Sequence, residues 1–508
     1  TALPEIALLR ARLLLGEPSD GQEVVYGGEP DQPNAADVAW FDQHRMSFDV
    51  HQSIALADES GGAIPVGLYD VRVRNANGHE ALTERALAVV ERPELASVSP
   101  GITCLAQGSR TFALDGATFL TIEGQEAQLE IEGVTAPVAL NALTGCQKID
   151  HASVDADLCS GAELTLGLDS VAPGFPQLVV ANPQTAPCVS EEDIRLRVVP
   201  APTLERVEAP LICIDEGPRE VVVFGEGLLR IDGAEPSLTM DGVALEVTGL
   251  GGCEPLETQG HEVEVCTSMG VIVPEGDLAA PHQPTLTLTN PEPAGCIVTS
   301  SDYLTLVPEP TLEAATPPAI CAAQEDRTVT LSGTGFLSVD GTLPAVTIGG
   351  EAVTTDALET CESVTVDRLD VTRCEEAVVT LPAGTLTPTE PVSPEVSLTN
   401  PEPAGCSAER SDILTVLPAP TLLSVTPELL CTDDGGREAL ISGTGFVTVD
   451  GALPFVTVGG VDVLVSGAGG CVPVETASLA IERCDSLQVT LPQGALAPGP
   501  VEVAVENP

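Results

Sequence analysis

Apolar and polar residues alternate along this chain in short bursts. EVVVF, TVTLSG, VVTLP, LQVTLP and VEVAV each carry side chains of one kind on every second position for five to seven residues. A period of two places one set of side chains on one face of an extended strand, which predicts half-buried β-strands. Gly, Pro, Asp and Asn interrupt the bursts every 8–12 residues, the punctuation of tight turns between antiparallel strands. Glu123–Gly124, Asp232–Gly233, Asp340–Gly341 and Asp450–Gly451 each mark a hairpin, because both residues of such a pair tolerate positive φ.

The bursts recur in one order. Pro93, Pro202, Pro310 and Pro420 open the similar phrases PELASVSP, PTLERVEAP, PTLEAATPP and PTLLSVTP, 109, 108 and 110 residues apart. That period exceeds the 20–50 residues of a solenoid repeat and suits an autonomous sandwich of about 100 residues. Residues 1–92 follow the same order from Pro4, with Leu15 where the other copies hold a cysteine. The expected fold is all-β, five antiparallel sandwiches in a row: 1–92, 93–200, 201–308, 309–418 and 419–508. The last lacks its closing strand, because the sequence stops at ENP where two earlier copies run on as NPEPAGC. Pro-containing seams (VVERPEL, VVPAPTL, LVPEPTL, VLPAPTL) hold the junctions extended and stiff.

Within a copy the order P-x-[ILV]-x-x-V-x-P, L-x-G-x-G-F, V-x-[IV]-G-G, V-x-[LV]-P-x-G and V-x-[VL]-x-N-P resembles the IPT/TIG family of immunoglobulin-like domains. The match is clearest at 310–416 and 420–508, recognisable at 202–306, weaker at 93–198 and weakest at 1–92. The resemblance implies an Ig-like sandwich without catalytic residues, of the kind found in bacterial surface proteins and adhesins, accessory modules of secreted glycosidases, plexin-type receptors and DNA-binding transcription factors. Four cysteines per copy depart from the usual family pattern.

Composition narrows these options. Gly (48) and Pro (43) are plentiful and aromatics make up 3%, which disfavours long helices. Asp and Glu number 76 against 20 Lys and Arg, a formal net charge of −56. Phosphate backbones are repelled by such a surface, so nucleic acid is excluded as a partner, and anionic lipid is disfavoured. No stretch reaches the roughly 20 apolar residues of a membrane span, and Ile6 to Leu15 carries Arg10 and Arg12.

The 15 cysteines fall into four slots. The first holds Cys104, Cys213, Cys321 and Cys431, the second Cys146, Cys253, Cys361 and Cys471, the third Cys159, Cys266, Cys374 and Cys484, and the fourth Cys188, Cys296 and Cys406. No C-x₂-C pair occurs and the six histidines fall at unrelated repeat positions, so disulfides in an oxidising compartment are expected rather than zinc. Second and third slots are always 13 apart while the flanking gaps drift, which suggests a self-contained loop: Cys146–Cys159, Cys253–Cys266, Cys361–Cys374 and Cys471–Cys484. The remaining pairs are then Cys104–Cys188, Cys213–Cys296 and Cys321–Cys406, leaving Cys431 unpaired. Either the protein continues past Pro508, or a neighbouring molecule supplies the missing strand.

Other candidate chemistry reads as scaffold. FGEGL and SGTGF lack a following helix, so they are corners and not phosphate cradles. The turn acids Glu123, Asp232, Asp340 and Asp450, and Asp433 and Asp434 in CTDDGG, are candidates for Ca²⁺, but no D-x-D-x-D-G loop is present and turn chemistry explains them better. No cofactor is expected. His44, His51 and Trp40 in the atypical first copy match no known catalytic spacing. A site repeated at equal intervals suits a spacer and not an enzyme. The expectation is a segment of a bacterial surface stalk, adhesin or extracellular filament, self-associating or bound to neighbouring surface proteins. The alternatives are a glycan-binding or accessory array of a secreted enzyme, against which one Trp and three Tyr count, and a receptor ectodomain with a protein ligand.

Overall fold

The computed structural model describes residues 5–12, 23–27, 38–42, 45–48, 54–55, 61–62 and 64–508, apart from 216, 277, 432–435 and 477–478. All regular elements among them are strands, arranged as five Ig-like antiparallel sandwiches in a row. In the second, one sheet runs in the order Glu94–Ser99, Arg110–Ile122, Ala156–Leu166, Ala142–Thr144. The facing sheet runs Val138–Ala139, Gln128–Ile131, Gln177–Ala181, Ile194–Arg195. A short strand, Ile102–Cys104, pairs in parallel with Arg197–Val199 at the end of the closing strand. Leu211–Cys213 and Thr305–Val307 repeat that parallel pairing, as do Ala319–Ile320 and Thr415–Val416. In the fourth sandwich the long strand Glu351–Val366 passes from one sheet to the other and joins them into seven strands.

Alternation fixes which side chains enter each core. Along Arg327–Val339, Val329 and Leu331 are fully buried while Thr328 is exposed. They meet Val346, Ile348, Val396 and Leu398 from the facing strands. The long strand's pairing with its second partner breaks at a matching place in several sandwiches, between Ser332 and Phe336 here and between Phe224 and Leu228 or Ser442 and Phe446 elsewhere. Two glycines create this bulge for different reasons. A Cβ on Gly333 would stand 1.8 Å from the Thr311 carbonyl oxygen, so only glycine lets the opening strand approach. Gly335 has a φ of +77°, which turns the chain so that Phe336 enters the core.

The bulge is held by an asparagine that sequence reasoning passed over. Asn400 Oδ1 accepts from Leu337 N (2.8 Å) and its Nδ2 donates to the Gly335 carbonyl (2.8 Å). Asn182, Asn290 and Asn507 make the same two bonds in their own sandwiches. The N-P dipeptide of V-x-[VL]-x-N-P therefore ties the strand before the closing turn to the bulge across the core.

The first sandwich shows the sheet Glu23–Gly27, Glu5–Arg12, Gly67–Arg74, Glu80–Val89 over a core of Ile6, Leu8, Ile64 and Tyr69. Leu15, His44 and His51 lie outside the described residues, as does the side chain of Trp40 on strand Val38–Asp42.

Apolar clusters also lie between successive sandwiches. Leu68 and Ala88 meet Leu120, Ile149 and Ala156 at the first junction. Ile102 and Val199 meet Leu229, Ile231 and Val263 at the second, Leu211 and Val307 meet Leu337, Val339 and Val371 at the third, and Leu417 meets Val447 and Ile481 at the fourth. The residue after each bulge thus alternates faces: Phe336 enters its own core and Leu337 the junction.

Candidate functional site

The recurring chemistry sits at the junctions. The first-slot cysteine ends the short parallel strand, level with the last residues of the closing strand: Cys104 opposite Val199 and Cys213 opposite Val307. That end faces the following sandwich. The fourth-slot cysteine sits at the other pole, in the turn before the closing strand, where Asn290 N donates to Cys296 O (2.9 Å) and Asn400 N to Cys406 O (2.8 Å). This pole faces the preceding sandwich. The two slots therefore meet across a junction: Cys104 bonds Cys296 and Cys213 bonds Cys406, at sequence separations of 192 and 193.

These bonds correct the expected Cys104–Cys188, Cys213–Cys296 and Cys321–Cys406 pairs. About ten residues, partly strand and roughly 30 Å if extended throughout, separate the two slots within one sandwich. A disulfide needs Cα atoms about 4.4–6.8 Å apart. Cys104 and Cys296 stand at 5.9 Å, and Cys213 and Cys406 at 5.7 Å. Cys188, Cys321 and Cys431 carry free thiols, Cys431 exposed and the other two half-buried. Sequence reasoning left only Cys431 over.

The second and third slots do bond within each sandwich, as Cys146–Cys159, Cys253–Cys266, Cys361–Cys374 and Cys471–Cys484. Cys361 lies directly across from Cys374 on adjacent antiparallel strands. The third-slot sulfur is buried opposite the core residue at the bulge: Cys374 pairs with Phe336 and Cys484 with Phe446.

Each junction bond lies in the apolar clusters already described, with Cys104, Cys296, Cys213 and Cys406 all buried. A polar rim surrounds them. At the second junction Ile297 N donates to Gln107 Oε1 (2.8 Å), Arg195 N to Gln259 Oε1 (2.8 Å), Gln259 Nε2 to Asp193 O (2.8 Å) and Arg197 Nε to Glu257 O (2.7 Å). At the third, Gln283 Nε2 and Thr305 Oγ1 donate to Thr365 O (3.1 and 3.0 Å) and Arg368 Nη2 to Glu205 O (3.2 Å). A peptide link, a disulfide and a dry patch at one junction leave little freedom for the relative domain motion that a single linker permits.

The turn acids are braces. Asp340 has φ +48° and Gly341 φ +78°, and Asp340 Oδ1 accepts from Asp370 N (2.9 Å). Asp450 Oδ1 accepts from Ala480 N (2.9 Å), Asp232 Oδ1 from Glu262 N (2.8 Å) and Glu123 Oε1 from Asp155 N (2.9 Å). His261 Nδ1 lies 2.7 Å from Asp232 Oδ2, and His282 Nε2 lies 2.8 Å from Asp241 Oδ2. Those hydrogen bonds from histidine, followed by the backbone N–H groups, hold both carboxyls below the usual carboxylate range. Among the described residues no group of three or more His, Cys, Asp or Glu is placed to hold a metal ion. Asp433 and Asp434 lie outside the described residues. No helix among the described residues is long and apolar enough to cross a membrane.

The last sandwich differs at one edge. Strand Val503–Glu506 pairs with Phe455–Val458 and ends the sheet, where Ser407–Arg410 follows Val396–Thr399 in the fourth. Beside it lies an open groove of about 770 Å³, lined by Leu430, Ile441, Val458, Val489, Leu491 and Val503. Eight of the fourteen exposed large hydrophobic residues among the described residues fall in this sandwich.

No family model and no curated protein matches the chain. Among solved structures it is similar to the plexin A4 extracellular region (10% identity, 94% of this chain and 46% of that one, TM-score 0.22), and spans about half of that ectodomain's length. It is also similar to titin domains I67–I69 (12% identity, 65% and 98%, TM-score 0.23) and to the mouse nectin-like molecule 4 ectodomain (14% identity, 62% and 96%, TM-score 0.20). The Ig-like assignment rests on the chain's own strand order.

Proposed function

We propose that this chain is a stiff structural segment of an extracellular assembly, a bacterial surface stalk, adhesin or filament, and not an enzyme. Its five units, with bounds near 1–92, 93–200, 201–308, 309–418 and 419–508, act as struts, and the junctions act as welds. The observation that carries this reading is the pair of bonds Cys104–Cys296 and Cys213–Cys406, which link one sandwich to the next through buried contacts. Six disulfides suit an oxidising compartment outside the cytoplasm. The net charge of −56 keeps such a surface soluble and away from nucleic acid and anionic lipid.

Small-angle scattering on the oxidised chain and on a Cys104→Ser/Cys296→Ser, Cys213→Ser/Cys406→Ser variant tests the reading. The oxidised chain is expected to fit one extended conformation, and the variant an ensemble bent at the second and third junctions. A compact particle, or identical profiles for the two proteins, refutes it.

A further inference from the structure

The open groove of the last sandwich has counterparts in the three sandwiches before it, and there it is filled. The filler is always the closing strand: Leu196 and Val198 in the second sandwich, Leu304 and Leu306 in the third, Leu414 and Val416 in the fourth, all buried in their own cores. In each case the leucine stands eight residues after the fourth-slot cysteine, Cys188, Cys296 or Cys406. The closing strand lies parallel to the short first-slot strand, which exists in those three sandwiches. In the last sandwich residues 429–431 form no strand, and Leu429 is 91% exposed. Leu422 is 40% exposed, whereas its counterparts Leu95, Leu204 and Leu312 are at 0%, 7% and 5%.

A second observation lies one junction back. Cys321 holds the position of Cys104 and Cys213, eleven residues after the opening proline, and its thiol is free. Its neighbour Ala319 packs at the fourth junction against the cluster of Leu417, Val447 and Ile481. Both earlier first-slot cysteines at such a junction bond the fourth-slot cysteine of the sandwich that follows. Groove and thiol thus ask for the same object.

We propose that the last sandwich is a strand acceptor: its groove takes one extended polypeptide strand of the repeat's own closing pattern, Cys-x₇-Leu-x-[Val/Leu], and Cys321 locks that strand by a disulfide. The leucine and valine fill the groove beside Leu430, running parallel to residues 429–431. The cysteine, at the other end of the strand, reaches the fourth junction. Bond formation removes two protons and two electrons from the two thiols, taken up by a small-molecule disulfide that is reduced to two thiols. The inference rests on the sandwich order and the junction pairing, and stands whether or not the chain serves as a stalk.

The test uses the 508-residue chain and a synthetic peptide of sequence PEPAGCSAERSDILTVLP, residues 401–418, carried as its mixed disulfide with glutathione. The Cys321 thiolate attacks the peptide sulfur and glutathione leaves as the thiol, so one S–S bond replaces another. Peptide mapping is expected to place the adduct on Cys321 in about tenfold excess or more over Cys188 and Cys431, because docking raises the local concentration at one thiol only. A Leu414→Asp/Val416→Asp peptide is expected to lose that preference. With the Cys321→Ser chain the unmodified peptide still docks, read as protection of residues 425–431 in hydrogen exchange, but no adduct forms there. Adducts spread evenly over the three thiols, concentrated on Cys431, or unchanged by the aspartates overturn the proposal. So does a chain dimer that buries the groove and is not displaced by the peptide.

Discussion

A few residues per sandwich carry far more than their size. Asn400 satisfies one donor and one acceptor at the bulge from a fully buried position. Asn400→Ala leaves Leu337 N and Gly335 O without partners, and chemical denaturation is expected to show the fourth sandwich weakened by about 2–4 kcal/mol. The glycines separate into two kinds by the same measure. Gly341→Ala meets nothing within 4 Å and bears only the cost of a positive φ, about 1–2 kcal/mol. Gly333→Ala must push back a carbonyl oxygen of the opening strand, so its denaturation midpoint is expected to fall well below that of Gly341→Ala. The turn acids spend an oxygen on a backbone N–H, and a chelator is expected to leave the melting temperature unchanged. A fall in Tm on adding EDTA argues for a bound cation.

At the scale of the element, the inner bridge is a clamp between adjacent strands. Replacing Cys361 and Cys374 together by serine opens a loop with a sequence separation of 13 and is expected to lower the stability of that sandwich by about 3 kcal/mol. Its neighbours melt as before. Much of this level is readable from sequence alone. The period-two bursts mark the strands, the acid–Gly pairs their turns, and the constant gap of 13 the inner bridge. The outer cysteines are not readable from gaps, because spacing carries no polarity. Only the parallel pairing of Ile102–Cys104 with Arg197–Val199 places Cys104 at the far pole from Cys188. One signal was present and passed over. FLTI, LLRI, FLSV and FVTV are apolar on both faces of a strand, one face more than a single core requires. Leu120, Leu229, Leu337 and Val447 line the junctions.

For the whole molecule, the two junction bonds interleave: the span 104–296 overlaps the span 213–406. If every sandwich were pulled open, a fully reduced chain would stretch 302 residues between Cys104 and Cys406, about 1,060 Å at roughly 3.5 Å per residue. With both bonds closed, the shortest covalent route crosses from Cys104 to Cys296, runs back to Cys213 and crosses to Cys406. The closed Cys253–Cys266 bridge cuts 13 residues from the 83 on that run, so the route holds 70 residues, about 245 Å. Single-molecule pulling is expected to show this shortened contour length when oxidised and the longer one after reduction. Under load the tether would thus refuse to pay out its hidden length, and a protease cut at Pro202 would leave both pieces joined.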